Sequence, residues 1–313
     1  MNTAPDNGAL PDGETSTLPS FWGTLARAGT EPRTIRHPQQ FEGGEHLSIA
    51  CTQTDLPATA QKALVAQWCA VLPSLRGVRV LWLQSKVPQA LFDAACQLPG
   101  LQSLYLKWNG LQQLDALGQC PTLRHLHLGA SGGIVSVAPL QTLPALAWFQ
   151  IANAHKIGRL DDLAGLQQLE GLAFTGGDSQ PATVPSLAPL AGLQRLRWLQ
   201  LGALRVGDGS LRPLGSLAGL QWLGLPNHFE QAEFAWLSTR LTQTRCDWLA
   251  PFARFHRSVF PCPVCRRAGR DFCRVMTSGR GSKLLCPHCD AAALARQVAA
   301  FEHAVLTAHA GPA

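Results

Sequence analysis

Ten cysteines occur in the 313 residues, and four of them form two matched pairs. These are Cys262-Pro-Val-Cys265 and, after twenty intervening residues, Cys286-Pro-His-Cys289. Two residues between thiolates let the chain turn sharply with backbone amides facing the sulfurs, and two such pairs can close a tetrahedron around one ion. The chemistry expected of Cys262, Cys265, Cys286 and Cys289 is therefore the binding of one Zn2+. A closed set of four thiolates keeps no position for water, so the ion's role is structural. A disulfide framework is disfavoured because Met1 to Ser20 is polar, carries Asp6, Asp12 and Glu14, and lacks the basic start and apolar run of a secretory signal. A redox pair would need a βαβ context that the flanking residues do not supply. A two-ion site fails on ligand count, since beyond these four the region offers only Cys273, His256 and His288. Cys273 reads as a buried strand thiol and His288 as an ordinary residue of the turn.

The elements that must hold these cysteines are short. Asp271 to Met276 and Ser282 to Leu285 read as two strands joined by Thr277-Ser-Gly-Arg-Gly281. With the paired cysteines, this stretch resembles the zinc-ribbon family over residues 258–290. Leu294, Val298, Phe301 and Val305 follow at helical spacing and make a stripe that packs on the ribbon or on whatever precedes it. The net charge of +6 is concentrated here: residues 251–290 hold eight basic and two acidic side chains, while residues 1–250 hold seventeen of each. The basic segment is a candidate nucleic-acid contact and equally a cationic protein-docking surface. Its charge marks it as a unit independent of the rest.

Elsewhere little could do chemistry. His125 and His127 stand one strand period apart without a nearby carboxylate or cysteine, so they complete no metal site. No G-x-S-x-G elbow, P-loop, dinucleotide glycine motif or H-E-x-x-H occurs. An enzyme is not expected, nor a small-molecule substrate.

The body of the chain is repetitive. Ala-Gly-Leu-Gln recurs at 164–167, 191–194 and 218–221. A Leu-x-x-Leu-x-Leu unit appears as Val78/Leu81/Leu83, Leu101/Leu104/Leu106, Leu123/Leu126/Leu128, Leu146/Phe149/Ile151, Leu169/Leu172/Phe174, Leu196/Leu199/Leu201 and Leu220/Leu223/Leu225. The starts lie 23, 22, 23, 23, 27 and 24 residues apart. This pattern resembles the leucine-rich repeat family in its short class, over roughly residues 46–249. The resemblance implies stacked coils with strands on one side, tight turns on the other and a protein-recognition role. The family's coil-tying asparagine falls here on Lys86, Asn109, Ser131, Ala154, Gly177, Leu204 and His228, so only one of seven matches. The 27-residue coil should bulge near Gly176 to Pro185. Leu47 to Cys51 reads as a capping strand and Pro57 to Leu72 as a capping helix. Phe234, Leu237 and Leu241 continue the core, and Cys246 to Leu249 closes it.

In such a strand the leucines point inward and the intervening residues outward. The outward set contains Trp82, Tyr105, His125, His127, Trp148, Gln150, Arg197, Trp198, Gln200 and Trp222, with Trp108 just past its strand. Five of nine tryptophans and the only tyrosine thus share one surface that has no folding need for them. Aromatic residues with Arg and Gln, and almost no Asp or Glu, have the composition of a protein-binding surface. The competing account is that flanking loops or the N-terminal segment cover them. Separately, the pair Phe21-Trp22 reads as folding back on the first coil, with a separate docking motif as the alternative.

The apolar content of 46% supports a sizeable core and excludes a wholly disordered chain. The expected fold class is α/β: a leucine-rich repeat solenoid with a small C-terminal zinc-ribbon domain. Residues 1–44 are expected to be mostly disordered, 45–250 to form the capped solenoid, and 251–313 the basic ribbon with its helix. The expected function is a non-enzymatic interaction protein that binds a protein partner on the aromatic face. Two alternatives stay open: a nucleic-acid or regulatory role at residues 251–290, and a bacterial effector or immunity factor, in line with a composition that looks bacterial. No run of 18 apolar residues exists, so a cytoplasmic chain without a membrane span is expected.

Overall fold

A coil whose three apolar side chains all point one way cannot bury them alone, so each coil must lay its strand beside the next. In the computed structural model, which describes Trp22 and residues 31–177, 179–255 and 259–310, these strands are β1 (His46–Ile49), β2 (Val80–Val87), β3 (Ser103–Asn109), β4 (His125–Leu128), β5 (Trp148–Ile151) and β6 (Gly171–Thr175). After β7 (Ala182–Val184) come β8 (Trp198–Gly202), β9 (Leu204–Val206) and β10 (Trp222–Gly224). Eight of them form one parallel sheet in the order β1-β2-β3-β4-β5-β6-β8-β10. The return paths on the convex side are 3-10 turns at Asp115–Gln119, Ala138–Thr142, Asp161–Leu163, Ala188–Leu190 and Arg212–Ser216. Each turn drops one leucine (Leu117, Leu140, Leu163, Leu190 or Leu214) into the core. The result is a leucine-rich-repeat-like solenoid with one continuous core from Leu47 to Leu241.

The irregularities have local causes. Asn109 ties its coil to the next through Nδ2, which donates to Gly129 O at 2.7 Å and Ser131 Oγ at 2.9 Å. The bulge of the 27-residue coil is β7, which pairs in parallel with β9 as a separate two-stranded ribbon. The capping strand is β1, and the capping helix is α1 (Ala58–Val71), which buries Leu64 and Trp68. Residues 31–44 are not structureless as expected. Ile35 N donates to Ser48 O and its carbonyl accepts from Ala50 N, so this stretch covers the edge that β1 would otherwise leave open. Of the expectation for residues 1–30, everything except Trp22 lies outside the described residues.

Helices α2 (Gln89–Cys96) and α3 (Gln231–Ser238) complete the solenoid, with Phe234, Leu237 and Leu241 in its core. Trp248 Nε1 donates to Leu225 O at 2.8 Å and fixes the closing segment. Beyond it lie β11 (Phe252–Ala253), a short helix α4 (Pro263–Arg267), β12 (Val275–Thr277), β13 (Leu284–Leu285) and α5 (Ala291–Ala310). The expected pair of strands is present but shorter, and β11 makes it an antiparallel three-stranded sheet.

This C-terminal part does not stand apart from the repeats. Asn227 Nδ2 donates to Thr277 O at 2.9 Å, and its Oδ1 accepts from Gly279 N at 2.6 Å. Gly279 has φ +95°, and a Cβ there would meet the Gln231 backbone at 2.9 Å, so only glycine permits the approach. Phe301 of α5 is buried in the solenoid core, with Ala304 and Val305 packed beside it. Charge partition alone could not reveal this, because the joint rests mainly on apolar packing and hydrogen bonds, with a single exposed ion pair, Arg280–Glu230 at 3.2 Å, among the described residues. Phe301→Ala should therefore lower the stability of the whole chain by about 3 kcal/mol. Denaturant unfolding followed by tryptophan fluorescence checks this, and an unchanged midpoint would show that α5 is merely appended.

Candidate functional site

Parallel pairing in register places the outward residues of successive strands in two rows. The first runs His46, Val80, Ser103, His125, Trp148, Gly171, Trp198, Trp222. The second runs Ser48, Trp82, Tyr105, His127, Gln150, Ala173, Gln200, Gly224. Trp82, Tyr105, His125, His127, Trp148, Gln150, Trp198, Gln200 and Trp222 fall in these two rows. Arg197 precedes its strand, Trp108 lies within β3 rather than just past it, and the arrangement differs from a simple exposed array.

Trp148, Trp198 and Trp222 form a ladder, with ring centroids 4.9 Å and 5.1 Å apart. Trp148 and Trp198 are not on adjacent strands, because β6 runs between them with Gly171 in their row. The Trp148 ring leans over that glycine, and a Cβ on Gly171 would lie 2.2 Å from its Cε3. Trp198 is consequently only 6% exposed, covered by its neighbours rather than standing free as its strand position suggested. Trp148, Trp222, Gln150 and Gln200 are half-buried, and Arg197 is exposed at the strand entrance. Glu170 beside them is paired with Arg195 at 3.2 Å. Gly171 was not expected to matter, although its alignment with two tryptophans was visible in the repeat pattern.

At the other end Trp82 is 4% exposed, because Trp22 is seated on it. The two rings meet edge-on at 5.7 Å, and Trp22 also tilts onto Tyr105 at 5.3 Å. Tyr105 stacks on His127 at 4.5 Å, and His46 meets Trp82 at 5.6 Å. Trp82 and Tyr105 in the N-terminal half of the face are thus covered by the chain's own Trp22, while its companion Phe21 lies outside the described residues. Trp108 stays 46% exposed past this cluster, with Lys107 Nζ 5.3 Å from its ring.

The two histidines contact neighbours on the same face. His125 Nδ1 shares a hydrogen bond with Ser103 Oγ at 2.9 Å, and His127 Nδ1 lies 3.4 Å from Gln150 Oε1. Burial lowers both pKa values to about 4, with Arg124 adding to the effect at His125.

The four paired cysteines converge. Their Sγ atoms all lie within 4.8 Å of one another, with 3.8 Å between Cys262 and Cys289, 3.7 Å between Cys265 and Cys286, and 3.3 Å between Cys265 and Cys289. Disulfide sulfurs sit ~2.05 Å apart, so these are four thiols. Hydrogen bonding to the Cys265 amide leads the effects that lower the Cys262 thiol to about 7. Cys273 is half-buried at an isolated bridge to Pro261, not buried in a strand. His288, expected to be an ordinary residue of the turn, stacks flat on Phe272 at 5.0 Å and 9° and contacts the Arg270 guanidinium. Phe272 is 41% exposed, which hydropathy along the chain does not reveal.

No family model matches the chain, and no curated protein does. Among solved structures it is similar to internalin C2 of Listeria monocytogenes, at 25% identity and a TM-score of 0.40, over 49% of this chain and 64% of that one. The chain thus spans a little less than two thirds of that internalin's length. A second Listeria internalin matches at 17% identity and a TM-score of 0.39, over 63% of this chain and 70% of that one. A leucine-rich repeat protein of Leptospira interrogans matches at 14% identity and a TM-score of 0.40, over 68% and 69%. Among the described residues, no helix is long and apolar enough to cross a membrane.

Two outcomes follow from this geometry. Gly171→Ala should displace the Trp148 ring, change the near-ultraviolet circular dichroism and cost about 1–3 kcal/mol through overpacking; an unaltered spectrum would mean the ring does not occupy the glycine. His127 has a folded pKa near 4, below its ordinary 6.5, so the unfolded chain binds the extra proton between those values. Its contribution to stability is complete above about pH 6.5 and is lost as pH falls toward 4. Stability measured against pH should therefore fall less steeply over that window in His127→Gln than in the unaltered chain.

Proposed function

We propose that the chain is a non-enzymatic protein-binding module whose partner docks on the concave face, at Trp148, Trp198 and Trp222 with Gln150, Arg197 and Gln200. The carrying observation is the three-indole ladder on the side of the sheet opposite the leucine core. Among the described residues, its ring-to-ring contacts are internal to the ladder. Tilted indoles packed ring to ring, with half-buried Trp148 and Trp222 supported by the covered Trp198 and bordered by an exposed arginine and amide side chains, form an anchor surface of the kind that dominates binding energy, since they offer apolar area at small conformational cost. Tyr105, Trp108, His125, His127 and Trp82 extend the same face toward the N-terminal end.

The cysteine cluster supports the bound-zinc reading. At the usual Zn–S distance of ~2.3 Å, a tetrahedron has sulfur edges of about 3.8 Å; the Cys262–Cys289 and Cys265–Cys286 spacings of 3.8 Å and 3.7 Å match it, while Cys265–Cys289 at 3.3 Å is shorter. Cys262, Cys265, Cys286 and Cys289 would hold the ion, which would cross-link the module structurally and supply no catalytic step.

A second reading, nucleic-acid binding at residues 251–290, is favoured by the Phe272–His288 stack beside Arg270. A flat, part-exposed platform among arginines suits unpaired bases.

Purified protein should carry close to one equivalent of zinc by elemental analysis, and Cys286→Ser should lose it and unfold residues 259–290; metal-free protein with that segment intact would end the zinc reading. A photo-crosslinking side chain placed at Gln200 should capture the partner while one at Gln141 on the convex side should not, and Trp222→Ala should weaken capture by ~2 kcal/mol or more. Equal capture from both sides would remove the concave-face reading. Salt-sensitive oligonucleotide binding lost in Phe272→Ala would instead support the second one.

A further inference from the structure

The two halves of the concave face differ in one respect. The N-terminal half holds a side chain that none of its strands supplies. Trp22 sits 6% exposed on Trp82 and Tyr105. His46 flanks Trp82, and His127 stacks on Tyr105. Four rings from four successive strands, β1 to β4, therefore make one aromatic slot.

The core does not require this occupant. The inward residues of these strands (Leu81, Leu83, Leu104, Leu106, Leu126 and Leu128) are fully buried on the opposite side of the sheet. Trp22 enters from the outer side, as a ligand would. The geometry also selects an aromatic ring. An interplanar angle of 74° to Trp82 sets the positive edge of one ring against the negative face of the other. An aliphatic side chain has no such edge to offer.

We propose that His46, Trp82, Tyr105 and His127 form an indole-recognition slot that Trp22 fills in cis, so that a partner presenting a tryptophan side chain enters by exchange with Trp22. This rests on the reading of the concave face as the binding face. A ligand tethered to its own site meets it at an effective concentration of order millimolar, so modest intrinsic affinity keeps the slot filled and weakens every competitor. The chain thereby sets a threshold for its partner on the N-terminal half of the face, while the Trp148–Trp198–Trp222 ladder carries no such plug among the described residues.

The probe is a synthetic peptide of residues 14–31 of this chain, titrated against full-length protein. Trp22→Ala protein should bind it at least about tenfold more tightly than the unaltered chain does, because the tethered competitor is gone. The same peptide carrying Trp22→Ala should not bind, and adding Trp82→Ala to the protein should abolish binding. Trp22→Leu protein, which keeps apolar volume in the slot, guards against a folding defect; it should stay folded and still admit the peptide. If the folded Trp22→Leu chain excludes the peptide as fully as the unaltered chain, or if the Ala-bearing peptide binds equally well, the slot is an ordinary packing site and the proposal is overturned. Failure of the concave-face reading is separately visible, because crosslinking at Gln200 does not involve Trp22.

Discussion

A coil of about 23 residues that turns its leucines to one side has no stable existence alone, and this constraint organises the whole molecule. Burial of Leu81, Leu104, Leu126 and their counterparts is possible only if each strand aligns with the one before, residue for residue. Once that alignment is set, the side chains between the leucines are no longer independent surface residues. They become rows with a fixed spacing of about 4.8 Å from strand to strand.

That spacing is tight for indoles, and the first row shows how the chain accommodates them. Trp148 and Trp198 are two strands apart, yet their rings approach to 4.9 Å because Trp148 reclines over Gly171. The tryptophans bury one another instead of entering the core, so the face gains a firm apolar surface without disturbing the leucine layer. The second row solves the same problem differently: Trp82 and Tyr105 are covered by Trp22, and Tyr105 by His127. One face therefore carries a ladder of tilted, mutually packed indoles at one end and an occupied slot at the other.

A solenoid also has ends. At the first, Ile35 pairs with β1 and α1 covers the core. At the last, α3 and α5 do so together, with Phe301 contributing to the common core and Asn227 clasping the turn at Thr277 and Gly279. The converging cysteines thus belong to a unit joined to the terminal coil by apolar packing and backbone hydrogen bonds.

Much of this was legible in the residues themselves. The leucine spacing alone specifies coils, parallel strands and which side chains face outward, because inward burial at a period of one coil admits no other register. The C-x-x-C pairs likewise announce four sulfurs in one place, since two intervening residues are what a shared ion needs. What the chain pattern could not convey is contact between side chains far apart in sequence. Whether Trp198 is open or covered depends on a glycine one coil earlier, and whether Trp82 is available depends on Trp22, sixty residues before it. The flat pairing of Phe272 with His288, and the seating of Phe301 in the repeat core, are likewise decisions of three-dimensional packing. Composition and charge are sums along the chain, whereas burial is settled by which neighbours the fold brings within van der Waals reach.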